Sequence, residues 1–164
     1  MINKFTFDNG LRVITEKIDY VKSVSIGIWI KVGSTNETIS TNGMSHFIEH
    51  MLFKGTKNRK ANEIAEFIDN IGGQLNAFTS KECTCYYVKV LDENIDDAIE
   101  LLSDMFFNSL FDEADIEKEK SVVCEEIRMY DDSPEDVVHE KLAKLIFDGS
   151  SLSFPILGTL QNVN

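Results

Sequence analysis

The sequence predicts an α+β fold, in which a largely antiparallel sheet carries helices on one face. The order of patterns along the chain predicts this class, because strands are followed by a helix pair, a strand pair and then further helices. Neighbouring strand patterns are joined by short turns, which favours antiparallel pairing. The chain has 164 residues, of which 43% are hydrophobic, so it can bury a core of its own.

The first predicted strands form a hairpin. Asn9-Gly10 is a residue pair typical of tight hairpin turns, and it separates the apolar segments 5–7 and 11–14. From Val24 to Val32 apolar residues alternate with the others, which predicts a half-buried strand. Residues 33–43 are small and polar, so we expect a loop there.

The rest of the chain alternates helical spacing with one further strand pair. The predicted helices span residues 44–54, 61–71, 95–107, 115–130 and 134–147, and the predicted strands span residues 74–79 and 84–91. Gly72-Gly73 ends the second helix. Ser133-Pro134 supplies an N-cap and a first-turn proline to the last helix.

Residues 150–164 are predicted to be loop, with no terminal element to bury their apolar side chains. We therefore expect Phe154, Ile156, Leu157 and Val163 to be exposed and to promote self-association. A C-terminal segment whose apolar side chains lack a covering element predicts that the chain is the front part of a longer protein.

Charge and composition exclude several classes of protein. Lys and Arg number 16 against 28 Asp and Glu, a formal net charge of −12, which opposes binding to nucleic acid. No apolar run reaches the roughly 18 residues of a membrane span, and the N-terminus lacks the order of a signal peptide. Cys83, Cys85 and Cys124 cannot all pair, so we expect reduced, mostly buried cysteines in a soluble cytoplasmic protein without membrane partners.

The segment His-Phe-Ile-Glu-His carries the strongest chemical signal. His46, Glu49 and His50 have the spacing i, i+3, i+4, which places them on one face of a helix. Two imidazoles at this spacing suit Zn²⁺, and a carboxylate one turn away can take a proton from metal-bound water. The pattern is the inverted zinc-peptidase motif. Two of the three histidines lie in it, so a chance surface cluster is a weak alternative, and His139 is expected to be an ordinary surface residue.

Two further carboxylates lie where charges are rarely found. On the predicted helix 115–130, Glu119 and Glu126 fall in the middle of the apolar stripe, whereas Glu125 falls on the opposite, charged face. A buried carboxylate needs a cation or hydrogen-bond donors. Zinc and histidine would serve, and pairing with a Lys or Arg from elsewhere is the alternative.

The chain resembles the pitrilysin-like zinc peptidases, a family that includes insulin-degrading enzyme, mitochondrial processing peptidase β and bacterial processing proteases. The segments that carry the resemblance are NGLRVI, GMSHFIEHMLFKGT, IGGQLNAFTSKECTCYYV, EKEKSVVCEEIRMYDDSPEDVV and FPILGT. The resemblance implies one zinc per complete protein, held by His46, His50 and Glu126. It also implies that Glu49 is the general base and that Glu119 supports the site.

The same resemblance implies a mode of substrate binding and a missing partner. A substrate peptide would add as a strand beside Asn76-Ala77-Phe78-Thr79. Residues 1–164 would form a truncated N-terminal zinc-binding peptidase domain, completed by a second homologous half of the parent chain or by a second subunit. We expect this piece alone to be inactive.

The predicted function is therefore that of a zinc-dependent metalloendopeptidase that hydrolyses peptides or small proteins. One alternative is a non-catalytic peptide-binding or partner subunit of the same family, which would have no need of Glu49. A metal-stabilised structural domain is a second alternative. A three-ligand site with an open fourth position fits it poorly.

Overall fold

Five strands form two separate antiparallel sheets in the computed structural model, which describes residues 1–164. The hairpin consists of β1 (Ile2–Thr6) and β2 (Arg12–Glu16). The second sheet has the order β3-β5-β4, with β3 (Ser23–Ile30), β4 (Gln74–Thr79) and β5 (Thr84–Leu91). The predicted antiparallel pairing is confirmed, and β4 is an edge strand.

The helices are α1 (Met44–Met51), α2 (Ala61–Asn70), α3 (Ile95–Asn108), α4 (Glu113–Asp131), α5 (Pro134–Ile146) and α6 (Leu160–Val163). The five predicted helices are confirmed, although α1 ends three residues before the predicted Lys54. The amides of Phe53 and Lys54 bond to carbonyls three residues back, which tightens the chain before Gly55 turns it at φ +132°. No helix combines the length and apolar composition that a membrane crossing requires.

The main core lies between the three-stranded sheet and the helices on one of its faces. The alternate residues Val88 and Val90 of the central strand β5 are buried against Ile64 of α2 and Leu101 and Met105 of α3. This confirms an α+β architecture with helices on one face. The other face of the sheet is open.

A buried polar network fixes the loop that follows α1. Asp104 of α3 accepts hydrogen bonds from Thr56 Oγ1 at 2.7 Å, Asn58 Nδ2 at 2.6 Å, and Arg59 and Asn108. Burial alone would raise the pKa of Asp104, but these four donors together hold it below its ordinary value. The loop is thereby tied to α3 immediately after the helix that carries the histidine motif.

The expectation of an exposed C-terminal segment was wrong. Leu157 and Val163 are each only 8% exposed, and Phe154 and Ile156 are partly buried. Ile156, Leu157 and Val163 pack against one side of α4, through Val123, Cys124 and Ile127. The segment shows no helical spacing of its own, so its burial depends on contacts with a distant helix. A short terminal helix, α6, is capped by the side chain of Thr159.

The C-terminal segment, residues 150–164, also braces the loop before α1. Asn42 Nδ2 donates a hydrogen bond to the Pro155 carbonyl at 2.8 Å. Gly43 and Gly158 meet backbone to backbone, both at positive φ, and a Cβ on Gly158 would lie 2.6 Å from the Gly43 Cα. Only glycine fits at this crossing, which fixes the start of α1.

Candidate metal centre

The helix that carries the histidine motif is held at its N-terminus by a carboxylate from the preceding loop. Gly43 precedes α1 and supplies no side-chain cap. Instead, Glu37 accepts hydrogen bonds from the amide of Gly43 at 2.8 Å and from the amide of Ser45 at 2.7 Å. A carboxylate satisfies the free amides of a helix N-terminus and suits its partial positive charge. Glu37 could not be predicted from the sequence, because no local spacing relates it to the helix.

α1 packs against both β4 and α4, and the contact with α4 brings three donor side chains together. Glu126 Oε2 lies 3.6 Å from His46 Nε2 and 3.4 Å from His50 Nε2, and the ligand atoms of the three residues lie within 4.8 Å of one another. Ligand bonds of about 2.0–2.2 Å in a tetrahedron separate two ligand atoms by about 3.3–3.6 Å. The donor set and the two distances from Glu126 therefore fit Zn²⁺.

The imidazole of His46 is in the form that can bind a metal. Burial, followed by the neighbouring His50, lowers the pKa of His46 to about 4, so the ring is neutral at pH 7. The two rings lie 4.6 Å apart between centroids. Neutral imidazole nitrogens are good zinc ligands because their lone pair is free.

Glu119 lies behind His50, away from the three donor atoms. Its Oε1 is 2.8 Å from His50 Nδ1, and its Oε2 is 2.5 Å from Lys54 Nζ. A carboxylate only accepts hydrogen bonds, so Nδ1 carries the proton and Nε2 keeps its lone pair towards Glu126. Glu119 therefore pairs with both a histidine and a lysine, which the sequence presented as alternatives. His50 contacts Oε1, and Lys54 contacts Oε2.

Glu125 and Glu126 have different surroundings on α4. Glu125 is exposed and forms an ion pair with Arg128, one turn further along α4. Its side chain lies outside the cluster that contains Glu126.

Glu49 lies beside the cluster without joining it. Its Oε2 accepts a 2.5 Å hydrogen bond from Thr79 Oγ1 at the end of β4. Burial raises the pKa of Glu49 above its ordinary value, although the bond from Thr79 acts in the opposite direction. A carboxylate of this kind, close to the motif histidines, is suited to proton transfer.

The four residues of the predicted substrate strand divide between the two faces of the sheet. Ala77 and Thr79 face the helices, and only Thr79 contacts a predicted catalytic residue. Asn76 and Phe78 lie on the open face, where Phe78 packs edge-on against Trp29 with centroids 5.6 Å apart. The outer edge of β4 carries no neighbouring strand.

The remaining residues singled out in the sequence stay outside the centre. His139 is exposed on α5. The three cysteines are free; Cys85 and Cys124 are buried, and Cys83 is partly buried. Burial raises the pKa of Cys85 to about 11, which makes its thiol unreactive.

Comparison with known proteins places this geometry in a family. The family described as "Insulinase (Peptidase family M16)" matches residues 12–160. A Bacillus subtilis protein named "Uncharacterized zinc protease YmxG" is 57% identical over 163 residues, which cover 99% of this chain and 40% of that protein. The chain thus spans well under half the length of this curated relative.

Two solved structures share the fold. A protease from Helicobacter pylori matches with a TM-score of 0.94 and 28% identity, over 99% of this chain and 40% of that one. A structure from Pseudomonas fluorescens described as a "peptidase M16 inactive domain" matches with a TM-score of 0.86 and 13% identity, over 99% of this chain and 42% of that one. The resemblance found in the sequence is confirmed by the match over most of its length, and the chain belongs to the insulinase family, peptidase family M16.

Proposed function

We propose that the full-length protein is a zinc-dependent metalloendopeptidase that hydrolyses peptides or small proteins. The observation that carries the proposal is the approach of Glu126 Oε2 to within 3.6 Å of both His46 Nε2 and His50 Nε2, with Glu49 alongside. His46, His50 and Glu126 would hold the zinc. The Bacillus subtilis relative is named a zinc protease, which supports the same class of enzyme.

When bound, zinc supplies Lewis acidity, which polarises a scissile carbonyl and acidifies water. Glu49 takes the proton from the attacking water and passes it to the leaving amine, and its raised pKa makes it the stronger base. Thr79 holds Glu49 Oε2, which leaves Oε1 for the water. Glu119 keeps His50 in one tautomer during turnover.

Metal removal tests the function directly. Full-length protein dialysed against 1,10-phenanthroline should lose cleavage of a fluorogenic peptide library, and one equivalent of Zn²⁺ should restore it. Zinc content is measured by atomic absorption in the same samples. Cleavage that persists in protein shown to be free of zinc would contradict the proposal.

We also propose that the substrate adds as a strand to the outer edge of β4. The edge is unpaired, and it ends at Thr79, whose side chain contacts Glu49. A peptide lying there would carry its backbone past the proposed base.

Hydrogen exchange locates this strand. Full-length Glu49→Gln protein saturated with a peptide that the wild-type protein cleaves should show slowed amide exchange in residues 74–79 first. The hairpin strand β2 serves as an internal control, since it is also exposed and is not expected to change. Protection limited to the helices would mean that the peptide binds elsewhere.

We further propose that a second part of the parent chain or a second subunit completes the site, and that the protein is cytoplasmic. The chain spans about 40% of the Bacillus subtilis relative, which supports completion by a second part of the parent chain or by a second subunit. A non-catalytic subunit would need neither Glu49 nor the ligand trio, so their presence favours the peptidase. Three free cysteines support a reducing, cytoplasmic setting.

A further inference from the structure

We propose that Lys54 is a positioning residue of the metal site, which holds Glu119 so that Glu119 can hold His50. The inference rests on the proposed zinc site. It assigns a role to a residue that lies outside the helical motif and outside the ligand set. Lys54 acts through Glu119 and does not touch the three donor atoms.

The contacts of Glu119 are divided between two partners, one for each oxygen. Oε1 faces His50 Nδ1 at 2.8 Å, and Oε2 faces Lys54 Nζ at 2.5 Å. The Glu119 side chain is 4% exposed, whereas that of Lys54 is 35% exposed. The ammonium group thus covers a buried carboxylate from the solvent side.

Burial makes both partners necessary. A carboxylate removed from water needs a donor at each oxygen and a compensating charge. Without Lys54, Oε2 would lose its donor, and the carboxylate would gain by turning towards water. Turning would break the bond to His50 Nδ1, and His50 would then sample both tautomers and other ring orientations.

Hydrogen bonds hold the backbone on both sides of Lys54. The Lys54 amide bonds to the Met51 carbonyl, which continues the tight end of α1. Immediately afterwards, Thr56 is fixed to the buried Asp104. Lys54 is therefore held between the end of α1 and a loop that is hydrogen-bonded to α3. From this position its side chain reaches Glu119 of α4.

Zinc affinity is the first measurement, because it does not depend on turnover. In the full-length protein, Lys54→Met should weaken zinc binding by about 10- to 100-fold in competition with a chromogenic chelator, which is the usual effect of losing such a support. Lys54→Arg should recover most of the affinity, since it restores the charge. Lys57→Met serves as a matched control, because Lys57 is exposed on the same loop, and it should leave affinity unchanged.

A double-mutant cycle separates positioning from a general structural effect. Adding Lys54→Met to Glu119→Gln should cost no further zinc affinity if Lys54 acts through Glu119. The thermal midpoint of the zinc-free protein should fall in Lys54→Met relative to Lys57→Met, because the buried Glu119 carboxylate loses its compensating charge, and Glu119→Gln in the double variant should remove much of that loss. If Lys54→Met does not fold, Lys54→Gln removes the charge with a smaller change in polarity and is expected to weaken zinc binding in the same direction.

The outcomes distinguish this inference from the proposed function. Unchanged affinity in Lys54→Met, or additive losses in the double variant, would overturn the role of Lys54 while zinc-dependent cleavage by the wild-type protein stood. A wild-type protein that binds no zinc would overturn both.

Discussion

Glu49→Gln in the full-length protein is expected to lower peptide cleavage by about two orders of magnitude or more while zinc remains bound. The amide has nearly the same shape as the carboxylate, and its oxygen can still accept the bond from Thr79 Oγ1. It cannot take a proton from water, and general-base catalysis of this kind contributes roughly 10²- to 10⁴-fold. The measurements are kcat/KM on a fluorogenic peptide and zinc content by atomic absorption.

Glu66→Gln is the matched control, because Glu66 is exposed on α2, away from the cluster. It should leave both measurements unchanged. Wild-type cleavage by Glu49→Gln would remove Glu49 from the mechanism. Loss of zinc together with activity would make it a ligand instead of a base.

Glu126→Ala should abolish zinc binding, and Glu125→Ala should not. The two residues are adjacent, but only Glu126 reaches the imidazoles, whereas Glu125 is paired with Arg128 at the surface. Loss of one of three protein ligands should exceed the about 10- to 100-fold effect of losing a supporting residue. Zinc content after gel filtration and competition with a chelator provide the measurement.

Glu125→Ala also serves as a control for folding, since both changes remove the same atoms from adjacent positions of α4. Circular dichroism should be alike for the two proteins. Equal loss of zinc in both, or loss only in Glu125→Ala, would show that the wrong acid has been assigned.

Strand boundaries could be predicted for β4 and β5, but each boundary of β1, β2 and β3 differs by one to three residues from the predicted segments 5–7, 11–14 and 24–32. β4 and β5 begin and end at the predicted residues, because Gly72-Gly73 stops the preceding helix and the polar turn at 80–82 separates the strands. The end of α1 was placed three residues too late. Helix-forming composition continues to Lys54, but the Thr56–Asp104 anchor and the turn at Gly55 end the helix sooner.

The burial of the C-terminal segment was the main feature that the sequence did not predict, because the contacts that bury it are long-range. Leu157 and Val163 are buried by residues of α4, thirty or more positions earlier in the sequence. A local pattern records which residues are apolar but not which distant surface covers them. Only Thr159, as an N-cap, marks a helix start there.

The candidate site likewise contains residues that local patterns predict and residues that they do not. His46, Glu49 and His50 share one helix, so their spacing alone predicts a common face. Glu119 and Glu126 could be found because a carboxylate in an apolar stripe is unusual. Lys54, Thr79 and Glu37 reach the site from a loop or a strand, where no periodicity relates them to the motif. Their roles needed the tertiary structure.

The crossing of Gly43 and Gly158 has a consequence for the order of events on the ribosome. Asn42 and its acceptor Pro155 are 113 residues apart, so at about 5–20 residues per second the motif helix is synthesised roughly 5–25 s before its brace. At the start of that interval the nascent chain contains His46 and His50. Glu119 and Glu126 are synthesised later, and Gly158 is synthesised last. Metal that binds early meets an incomplete site. The three residues of the proposed zinc site are therefore all present only after Glu126 has been synthesised, and the brace of the motif helix only after Gly158.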